Sequence, residues 1–522
     1  MILDARSLPT GETIRATIAI VGAGAAGIAI ARSLIGGPAS VALIESGGRE
    51  LDPATQDLYD GDVVGHDYFP PTETRLRYFG GSTNHWDGLC RPLDPLDFEV
   101  RADVPESGWP FGIETLDPWY RQAQEVCQLG PYDYRAASWT NAEGVGALPL
   151  PKGDIRSAVF QCSPPTRFAE VYGPELKRAA NVTVWLNANL VEIETEPPCR
   201  TVTGLRLARL DGARFHVAAK VYVIACGGIE NPRLLLESDR VAAGGIGNGH
   251  DLVGRYFMDH PKIWKGAQVL FAEKLPDLGF YDYHTVRGTK IQGVFLPRPE
   301  VLLREHLENF ALCLDHGSLA DISASAAALR HIERRVGHGG TVIELLEHLG
   351  DALVHADGLF DTIYRRSAGV LDRLFATRYW CDCPPDRDSR ITLSDKRDAL
   401  GQRRVRIDWR LPPDFERNFR RAHELLAAAL GTAGLARVHI NTADGVGDPI
   451  KAVENSHHHM GTTRMHADPR HGVVDADCRV HGMDNLFIAG SSVFPTYGQA
   501  NPTLTIVALA LRLAEHLKAA LA

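Results

Sequence analysis

The chain has 522 residues, of which 44% are hydrophobic and 23% charged, and its formal net charge at pH 7 is −10. The length favours two domains, the composition is that of a globular protein, and an acidic chain without a Lys/Arg-rich stretch is not expected to bind nucleic acid. The longest apolar run, Leu504 to Leu511, is far shorter than the roughly 20 residues that span a bilayer. The start of the sequence shows no export signal, and nine cysteines without metal-type spacing predict reduced thiols, so we expect a cytoplasmic protein without a metal site.

The first motif follows a short apolar strand. Residues 17–21 lead into Gly22-Ala23-Gly24-Ala25-Ala26-Gly27, which opens a helix predicted over 25–34, and a second strand, 41–44, ends at Glu45. In such a unit the first Gly permits a tight turn, the second lets a pyrophosphate approach the backbone, and the third lets helix and strand pack closely. Glu45 stands where a carboxylate accepts ribose hydroxyls. These residues predict a dinucleotide site on a parallel sheet.

Two later strands end in glycine in the same way. Residues 220–225 lead into Cys226-Gly227-Gly228, and residues 485–489 lead into Gly490-Ser491-Ser492. The glycines could be simple turn formers, but three such strand ends in one chain favour a shared cofactor edge. Strands that return late to one sheet indicate that insertions interrupt the nucleotide-binding domain.

The middle of the chain has a different pattern. Residues 301–380 predict amphipathic helices broken near 337–340, residues 390–394 and 405–410 alternate like strands, and a helix from Asp414 to Leu430 is expected to stop at Gly431. The helical part could also be a lid or a subunit contact. For Cys381 and Cys383, a loop position beside two prolines is favoured, with a catalytic role left open.

The sequence therefore predicts an α/β protein. A Rossmann-like domain on a parallel sheet would comprise residues 1–261 and 441–522, and an α+β substrate domain built on an antiparallel sheet would comprise residues 262–440.

Titratable and capping residues mark the last part of the chain. His457, His458 and His459 are adjacent, and on an extended backbone neighbours point to opposite faces, so convergence on one metal ion is not expected. One of them could instead remove a hydroxyl proton, because the unperturbed pKa of His, about 6.5, suits a general base. Asn501 suits a helix N-cap and Pro502 the first position of a helix predicted from Thr503 to about 517, whose positive end would stabilise negative charge on a cofactor.

A third segment, Gly80-Gly81-Ser82-Thr83-Asn84-His85-Trp86-Asp87-Gly88, combines paired glycines with side chains that are unusual in an ordinary turn. It could be a surface loop with a half-buried Trp. Beside the other motifs, a loop against the cofactor ring is the preferred interpretation.

Together these segments resemble the glucose-methanol-choline (GMC) oxidoreductases nearly end to end. The Gly-rich start with Glu45, the GGSTNHW loop, IACGGIENPRLL, Asp259-His260-Pro261 and the closing HxxGTTRM, NLFIAGSS and NPTLT segments stand in the family's order. The resemblance implies a flavoenzyme that holds FAD and oxidises an alcohol. The closing segment is similar to that of pyranose oxidases and bacterial FAD-dependent fructose or glucose dehydrogenases, which use a His/Asn pair.

Carried over by position, the resemblance makes His458 the base that accepts the alcohol proton while hydride passes to flavin N5, and Asn501 the partner that hydrogen-bonds the same oxygen. It leaves open whether His85 is bonded covalently to FAD, and it puts an adenine contact near Val191. The cofactor-binding residues that it implies are Gly22, Gly24, Ala25, Ala26, Gly27, Glu45, Ser46, Gly80, Gly81, Ser82, Asn84, His85, Trp86, Val191, Ala225, Gly227, Glu230, Gly490, Ser491, Asn501, Pro502 and Thr503.

The substrate expected from the resemblance is a secondary hydroxyl of a sugar or glycoside, with sterols and polyols as alternatives. A redox-silent lyase on the same scaffold, like the family's hydroxynitrile lyases, and a nicotinamide dehydrogenase are the rival functions. Asp87 departs from the small or Thr residue that the resemblance implies after Trp86. A carboxylate that faces flavin N5 there would disfavour a negatively charged reduced flavin, which favours a dehydrogenase over an oxidase. The electron acceptor (oxygen, a quinone or a redox protein) and the oligomeric state, a homo-oligomer included, stay open.

Overall fold

The structure is a computed structural model that describes residues 1–140, 144–274, 276–316, 371–441 and 451–521. Its strands, in chain order, are β1 Ile2–Asp4, β2 Thr13–Arg15, β3 Ile18–Val21, β4 Val41–Ile44, β5 Gly61–Gly65, β6 Leu89–Cys90, β7 Ile155–Cys162, β8 Val182–Leu186, β9 Asn189–Thr195, β10 Val202–Ala208, β11 Arg214–Ala218, β12 Val221–Ile224, β13 Lys262–Phe271, β14 His284–Val286, β15 Thr289–Pro297, β16 Phe310–His316, β17 Leu374–Cys381, β18 Arg390–Arg397, β19 Arg403–Trp409, β20 Ala436–Ile440 and β21 Leu486–Ile488. The α-helices of these ranges are α1 Ala25–Ser33, α2 Pro53–Gln56, α3 Ile113–Val126, α4 Phe168–Arg178, α5 Gly227–Glu237, α6 Pro299–Glu305, α7 Phe415–Thr432 and α8 Thr503–Leu521.

A six-stranded parallel sheet carries the two ends of the chain. Its strand order is β1-β8-β4-β3-β12-β21, and every neighbouring pair is parallel. Strands β3, β4 and β12 each consist of four buried apolar residues, as expected where both faces of a parallel sheet are covered. The carboxyl ends of β3, β4, β12 and β21 therefore meet at one edge, and this confirms the predicted Rossmann-like part of an α/β fold.

An eight-stranded sheet forms the second layer. Its order is β20-β13-β17-β16-β15-β7-β6, with β14 added to β15, and all of its pairs are antiparallel. This confirms an antiparallel sheet beside the parallel one. The sheet includes β6 and β7 from the first predicted segment, while the predicted boundaries at 261 and 440 stay a prediction.

Two smaller sheets complete the described strands. Strands β18 and β19 pair as an antiparallel hairpin, and β19 also pairs in parallel with β5. The two strands expected near 390 and 405 therefore form, but in a separate three-stranded sheet. The other small sheet has the order β2-β11-β10-β9.

Several predicted helix boundaries were wrong. Helix α7 continues through Gly431, and the backbone turns only at Gly434, whose φ is +67°. Helix α8 extends to Leu521, past the expected end near 517, and Leu521 still packs against the core although residues 518–520 are exposed. Most of the helical block predicted over 301–380, including 337–340, lies outside the described residues. Its described flanks contain strands β16 and β17, which pair with each other and so override the helical pattern.

The nine cysteines are free thiols. Cys381 is the last residue of β17 rather than part of a loop, and Cys383 follows it; burial raises the pKa of both thiols well above the usual value. Neutral buried thiols are poor nucleophiles, so this pair has a structural character. Within the described ranges, no helix is long and apolar enough to cross a membrane.

Candidate active site

A cavity of ≈570 Å³ lies at the carboxyl edge of the parallel sheet. It is lined by residues from both ends of the chain and from the segments between them: Val21 to Ala26, Glu45, Ser46, Tyr59, Glu73 to Arg77, Gly81 to Thr83, His85 to Leu89, Ala188, Leu190, Ala225 to Gly228, Glu230, Leu234, Ser456 to His459, Gly490, Ser491, Asn501 to Thr503 and Ile506. A cavity of this size suits a ligand of cofactor dimensions.

The three motif glycines have three different surroundings. Gly22 has φ +99°, and a Cβ there would lie 2.5 Å from the carbonyl oxygen of Ala225. A Cβ on Gly27 would lie 1.9 Å from the carbonyl oxygen of Gly22, so this glycine permits close packing of helix on strand. A Cβ on Gly24 would meet no atom within 4 Å, because Gly24 faces the cavity. Only the middle glycine leaves room for a ligand beside the backbone, at the N-terminus of α1.

Glu45 is fixed at the end of β4. Its carboxylate accepts hydrogen bonds from the backbone N–H of Ala23 at 3.0 Å and of Gly47 at 2.9 Å. Burial raises the pKa of Glu45, and these two hydrogen bonds oppose the effect. Oε1 also accepts from the Ser46 hydroxyl at 3.3 Å, so the lone pair available to a ligand hydroxyl in the cavity is on Oε2.

A buried charge cluster forms one wall of the cavity. The guanidinium groups of Arg75 and Arg77 lie over the ring of Tyr59, at 4.0 and 4.7 Å, and both donate to Glu230. Burial alone would raise the pKa of Glu230, but Arg233, Arg75 and Arg77 lower it to about 2. In the described ranges, Nε and Nη1 of Arg75 and Nε of Arg77 have no hydrogen-bond partner. The two arginines were not predicted from the sequence; their alternation a few residues before the paired glycines was the available signal.

His458 lines the cavity, and both its backbone and its ring are fixed by hydrogen bonds to neighbouring residues. Its N–H donates to Asp259 Oδ1 at 2.9 Å, and its Nδ1 lies 2.9 Å from Nδ1 of His260, whose Nε2 lies 2.9 Å from the carbonyl oxygen of Gly498. Burial lowers the pKa of His458 well below the usual value, and the neighbouring His260 and Lys262 add to the effect. A neutral imidazole in a cavity can accept a proton.

All three consecutive histidines contact the cavity, contrary to the alternation expected of an extended strand. The reason is the backbone at His457, where φ is +60°. His459 is buried between the rings of Tyr68 and Phe257, with centroids 6.2 Å away in each case. Across the described parts of the chain, no group of three or more His, Cys, Asp or Glu side chains is placed to hold a metal ion.

Asn501 lies at the opening of helix α8 but is not its cap. The helix begins at Thr503, and the carbonyl oxygen of Pro502 accepts the first helical hydrogen bond, from Ile506, so the cap position belongs to Pro502. The predicted assignments of Asn501 as N-cap and Pro502 as first helical residue are thus each wrong by one position. The described residues offer no hydrogen bond to the Asn501 side chain, which lines the cavity.

In the segment from Gly80 to Gly88, some residues fix the local backbone and others line the cavity. Gly80 has φ +99°, and Asn84 donates its side-chain amide to the carbonyl oxygen of Phe79 at 2.9 Å. His85 and Asp87 are exposed to the cavity. Partial desolvation lowers the pKa of His85, and the charge of Asp87 acts in the opposite direction.

Most of the predicted site residues line the cavity together. Four do not: Gly27, Gly80, Asn84 and Val191. The first three instead fix the backbone of the segments that line the cavity. Val191 lies on β9, where its carbonyl oxygen accepts a hydrogen bond from Gln402, and the residues of this region that reach the cavity are Ala188 and Leu190. Neither residue was predicted from the sequence, because alternation along a strand decides which neighbour faces a ligand.

The donor and acceptor set fits FAD. The space beside the backbone of Gly24 is open for a pyrophosphate. The guanidinium N–H groups of Arg75 and Arg77 that have no partner in the described residues suit an anion, and the Glu45 carboxylate suits ribose hydroxyls. The positive end of α8 also reaches the cavity, since Pro502 and Thr503 line it together with His458 and Asn501.

Comparison with known proteins agrees with this arrangement. Residues 385–510 match the family described as GMC oxidoreductase. The fructose dehydrogenase large subunit of Gluconobacter japonicus is 25% identical over 97% of this chain and 98% of its own length, and the 6'''-hydroxyparomomycin C oxidase of Streptomyces lividus is 26% identical over 96% and 92%. Among solved structures, the formate oxidase of Aspergillus oryzae has a TM-score of 0.58 at 16% identity, covering 98% of this chain and 99% of its own, which shows the fold.

The glycine cradle, the His458–Asn501 pair in the same cavity and the end-to-end similarity lead to one conclusion: the chain is an FAD-dependent alcohol oxidoreductase that matches the GMC oxidoreductase family over residues 385–510.

Proposed function

We propose that the protein oxidises a secondary hydroxyl of a sugar or glycoside to the carbonyl, with His458 as general base and Asn501 as the residue that orients the substrate oxygen. The observation that carries the proposal is the place of these two side chains. They line the same cavity as Gly24, and neither side chain donates to or accepts from a backbone group of the described residues.

The chain's own residues bind, orient and accept a proton. FAD, when bound, supplies the acceptor for the hydride that leaves the carbinol carbon. His458 takes the hydroxyl proton, so the alcohol loses one proton and one hydride and becomes a carbonyl. Asn501 donates its amide N–H to the same oxygen, holding it near His458 as the negative charge develops. Lys262 disfavours a positive charge on His458 and so helps to keep the base neutral before reaction.

The substrate class rests on what the relatives act on. Besides the fructose dehydrogenase subunit, the similar proteins include the paromamine 6'-oxidase of Streptomyces fradiae, 26% identical over 95% of this chain and 90% of its own length. Their names refer to a sugar and to an aminoglycoside. A sugar or glycoside hydroxyl is the substrate that these names have in common, and we extend it to this chain.

We further propose that the protein works as a dehydrogenase in the cytoplasm. Asp87 lies in the cavity wall, exposed, close enough to His85 and His457 to influence their pKa values. A carboxylate at this place disfavours accumulation of negative charge on a reduced cofactor. We therefore expect the reduced protein to react slowly with oxygen. The nine free thiols are consistent with a reducing compartment.

The experiment is an anaerobic titration of the purified, FAD-containing protein with sugars, glycosides, polyols and sterols, followed in the visible spectrum. Loss of the oxidised flavin band with a sugar or glycoside, and formation of the matching ketone, supports the proposal. Bleaching by a polyol or sterol alone would overturn the substrate class. An intact flavin that no alcohol bleaches, together with cleavage of a cyanohydrin, would favour the lyase instead. Admitting air after reduction separates an oxidase from a dehydrogenase.

A further inference from the structure

His260 forms a link between the base and a fixed backbone carbonyl. Its ring is fully buried, and its two nitrogens lie at hydrogen-bond distance from two different groups, Gly498 O and His458 Nδ1, each at 2.9 Å. The rings of His260 and His458 are nearly perpendicular, at 85°, with centroids 5.0 Å apart. These two contacts determine which nitrogen of each ring carries a hydrogen.

The protons along this link can be assigned from chemistry. A carbonyl oxygen only accepts, so Nε2 of His260 carries the hydrogen and donates to Gly498. Burial lowers the pKa of His260 to about 3, so the ring is neutral and its Nδ1 holds a lone pair. That lone pair accepts from Nδ1 of His458, which therefore carries the hydrogen. In neutral His458 the remaining lone pair is on Nε2, on the side of the ring away from His260.

We propose that His260 is a positioning residue that fixes the tautomer of His458, so that the Nε2 lone pair faces the substrate hydroxyl. The inference rests on the proposed function, since it names the atom and the supporting partner of the same base. His260 does not touch the substrate and is not itself a proton acceptor in the reaction.

The anchor of the link is itself rigid. Gly498 has φ +56°, and a Cβ there would lie 2.3 Å from Oδ2 of Asp97, so the carbonyl that orients His260 belongs to a peptide that only glycine allows. The ring of Tyr497 packs against the ring of His260 edge-on, with centroids 4.6 Å apart. Because the anchor cannot turn easily, the acceptor lone pair of His260 keeps its direction toward His458.

The proton balance of the step is simple. The substrate hydroxyl gives one proton to Nε2 of His458, which becomes an imidazolium, while its Nδ1–H continues to donate to His260. No proton moves onto His260. Besides His260, the basic groups Lys262, His457 and His459 disfavour a positive charge on His458. The one acidic group that contacts His458 in the described residues is Asp259, whose carboxylate accepts from its backbone N–H at 2.9 Å. The lone pair on Nδ1 of neutral His260 remains an acceptor for the Nδ1–H of the imidazolium.

Three variants of His260 separate tautomer control from packing. His260→Phe fills the space but offers no acceptor. His260→Asn offers an amide oxygen near the position of Nδ1, and His260→Gln carries its amide at the Nε2 end, toward Gly498. Each FAD-loaded variant is mixed anaerobically with the substrate identified above, and the rate of flavin reduction and the substrate Kd are measured. We expect His260→Phe and His260→Gln to reduce about 10²-fold more slowly at similar Kd, and His260→Asn to stay within about 10-fold of the unmodified protein.

A second readout does not depend on turnover. The resting, FAD-loaded proteins are labelled with ¹⁵N-histidine, and the His458 signals are identified by their loss in His458→Asn. We expect a protonated Nδ1 and an unprotonated Nε2 in the unmodified protein and in His260→Asn, and a different or mixed tautomer in His260→Phe.

Two results would overturn the inference. One is an unchanged tautomer and a normal reduction rate in His260→Phe; the other is a His260→Asn variant as slow as His260→Phe with the same tautomer as the unmodified protein, which indicates packing alone. If His260→Phe does not fold, the comparison of His260→Asn with His260→Gln decides in the same way. Normal reduction by His458→Asn would instead contradict the proposed function itself, so the two failures are distinguishable.

Discussion

Asp259 Oδ1 accepts a hydrogen bond from the backbone N–H of His458 at 2.9 Å, across 199 residues of sequence. The same carboxylate accepts from the backbone of Ser456 at 3.1 Å and from the hydroxyl of Tyr68 at 2.5 Å. Burial raises the pKa of Asp259 to about 6, and these hydrogen bonds oppose the rise. Asp259 thus holds the backbone of His458, the proposed base, and the next residue, His260, contacts its ring, so that two consecutive residues fix this one side chain.

Asn501→Ala should slow flavin reduction by the substrate by about 10-fold, less than loss of the base, because the orienting hydrogen bond goes while the proton acceptor stays. Asn501→His should recover part of the rate, since imidazole can also donate to the substrate oxygen. Stopped-flow reduction gives the rates and thermal unfolding gives Tm. A large drop in Tm for Asn501→Ala with normal reduction would show that the residue serves the helix instead, contrary to its position before the cap.

Two glycines of one motif should fail in different ways. Gly24→Val should give a folded protein that purifies without FAD, because its side chain would enter the cavity where no atom lies within 4 Å. Gly27→Ala should lose on the order of 2 kcal/mol of stability, because its Cβ would meet the carbonyl oxygen of Gly22. Flavin absorbance per protein and chemical unfolding measure the two effects. Gly249→Val, at another glycine with open space around it, is the control. Full FAD content in Gly24→Val would contradict the assigned cradle.

The pH dependence of kcat/KM should report the lowered pKa of His458. Protonated His458 cannot accept a proton, so the rate should fall only below pH 6.5, where the buried base finally becomes charged. Lys262→Met removes a positive charge that disfavours the imidazolium, so the pKa should rise and the acid limb should move to higher pH by roughly 0.5–1 unit. Lys220→Met, at an exposed lysine outside the cavity, is the matched control. A limb that moves to lower pH in Lys262→Met would contradict the charge assignment.

Asp87→Asn should increase the rate at which the reduced protein reacts with oxygen. The substitution keeps the size of the side chain and removes a carboxylate from the cavity wall, so negative charge in the cavity becomes less unfavourable. The reduced protein is mixed with air-saturated buffer and the return of the visible spectrum is followed. Asp277→Asn, a change of the same kind outside the cavity, serves as reference. An unchanged or slower reaction of Asp87→Asn would remove the argument for a dehydrogenase.

The local features of the site could be predicted from the sequence because they depend on neighbours along the chain. The apolar strands β3 and β4, the motif glycines and Glu45 follow one another within 30 residues, and the structure places them as a strand-helix-strand unit. His458 and Asn501 could be found only through the resemblance, since a histidine in a run of three and an Asn before Pro each have common structural explanations.

The supports of the site could not be predicted, because they depend on tertiary contacts. Nothing in the neighbourhood of His260 indicates that its ring meets His458 198 residues later, or that Gly498 anchors it. The same holds for Arg75 and Arg77, whose common partner Glu230 lies more than 150 residues away. The missed strands β16 and β17 have a similar origin, because sheet pairing overrode the local helical pattern. Helix α7 differs, because it continues past Gly431 and the backbone turns only at Gly434.

The most direct test of the account is the rate of anaerobic flavin reduction by a saturating alcohol substrate in His458→Asn, compared with the unmodified protein at equal FAD content. Asn at this position can still donate to His260 Nδ1 but offers no basic nitrogen to the substrate, so the fold and the cofactor should be retained. His439→Asn, at an exposed histidine of β20, is the control. The account predicts reduction slower by about 10²–10⁴-fold in His458→Asn alone. A rate within a few-fold of the unmodified protein would contradict the assignment of His458 as the base.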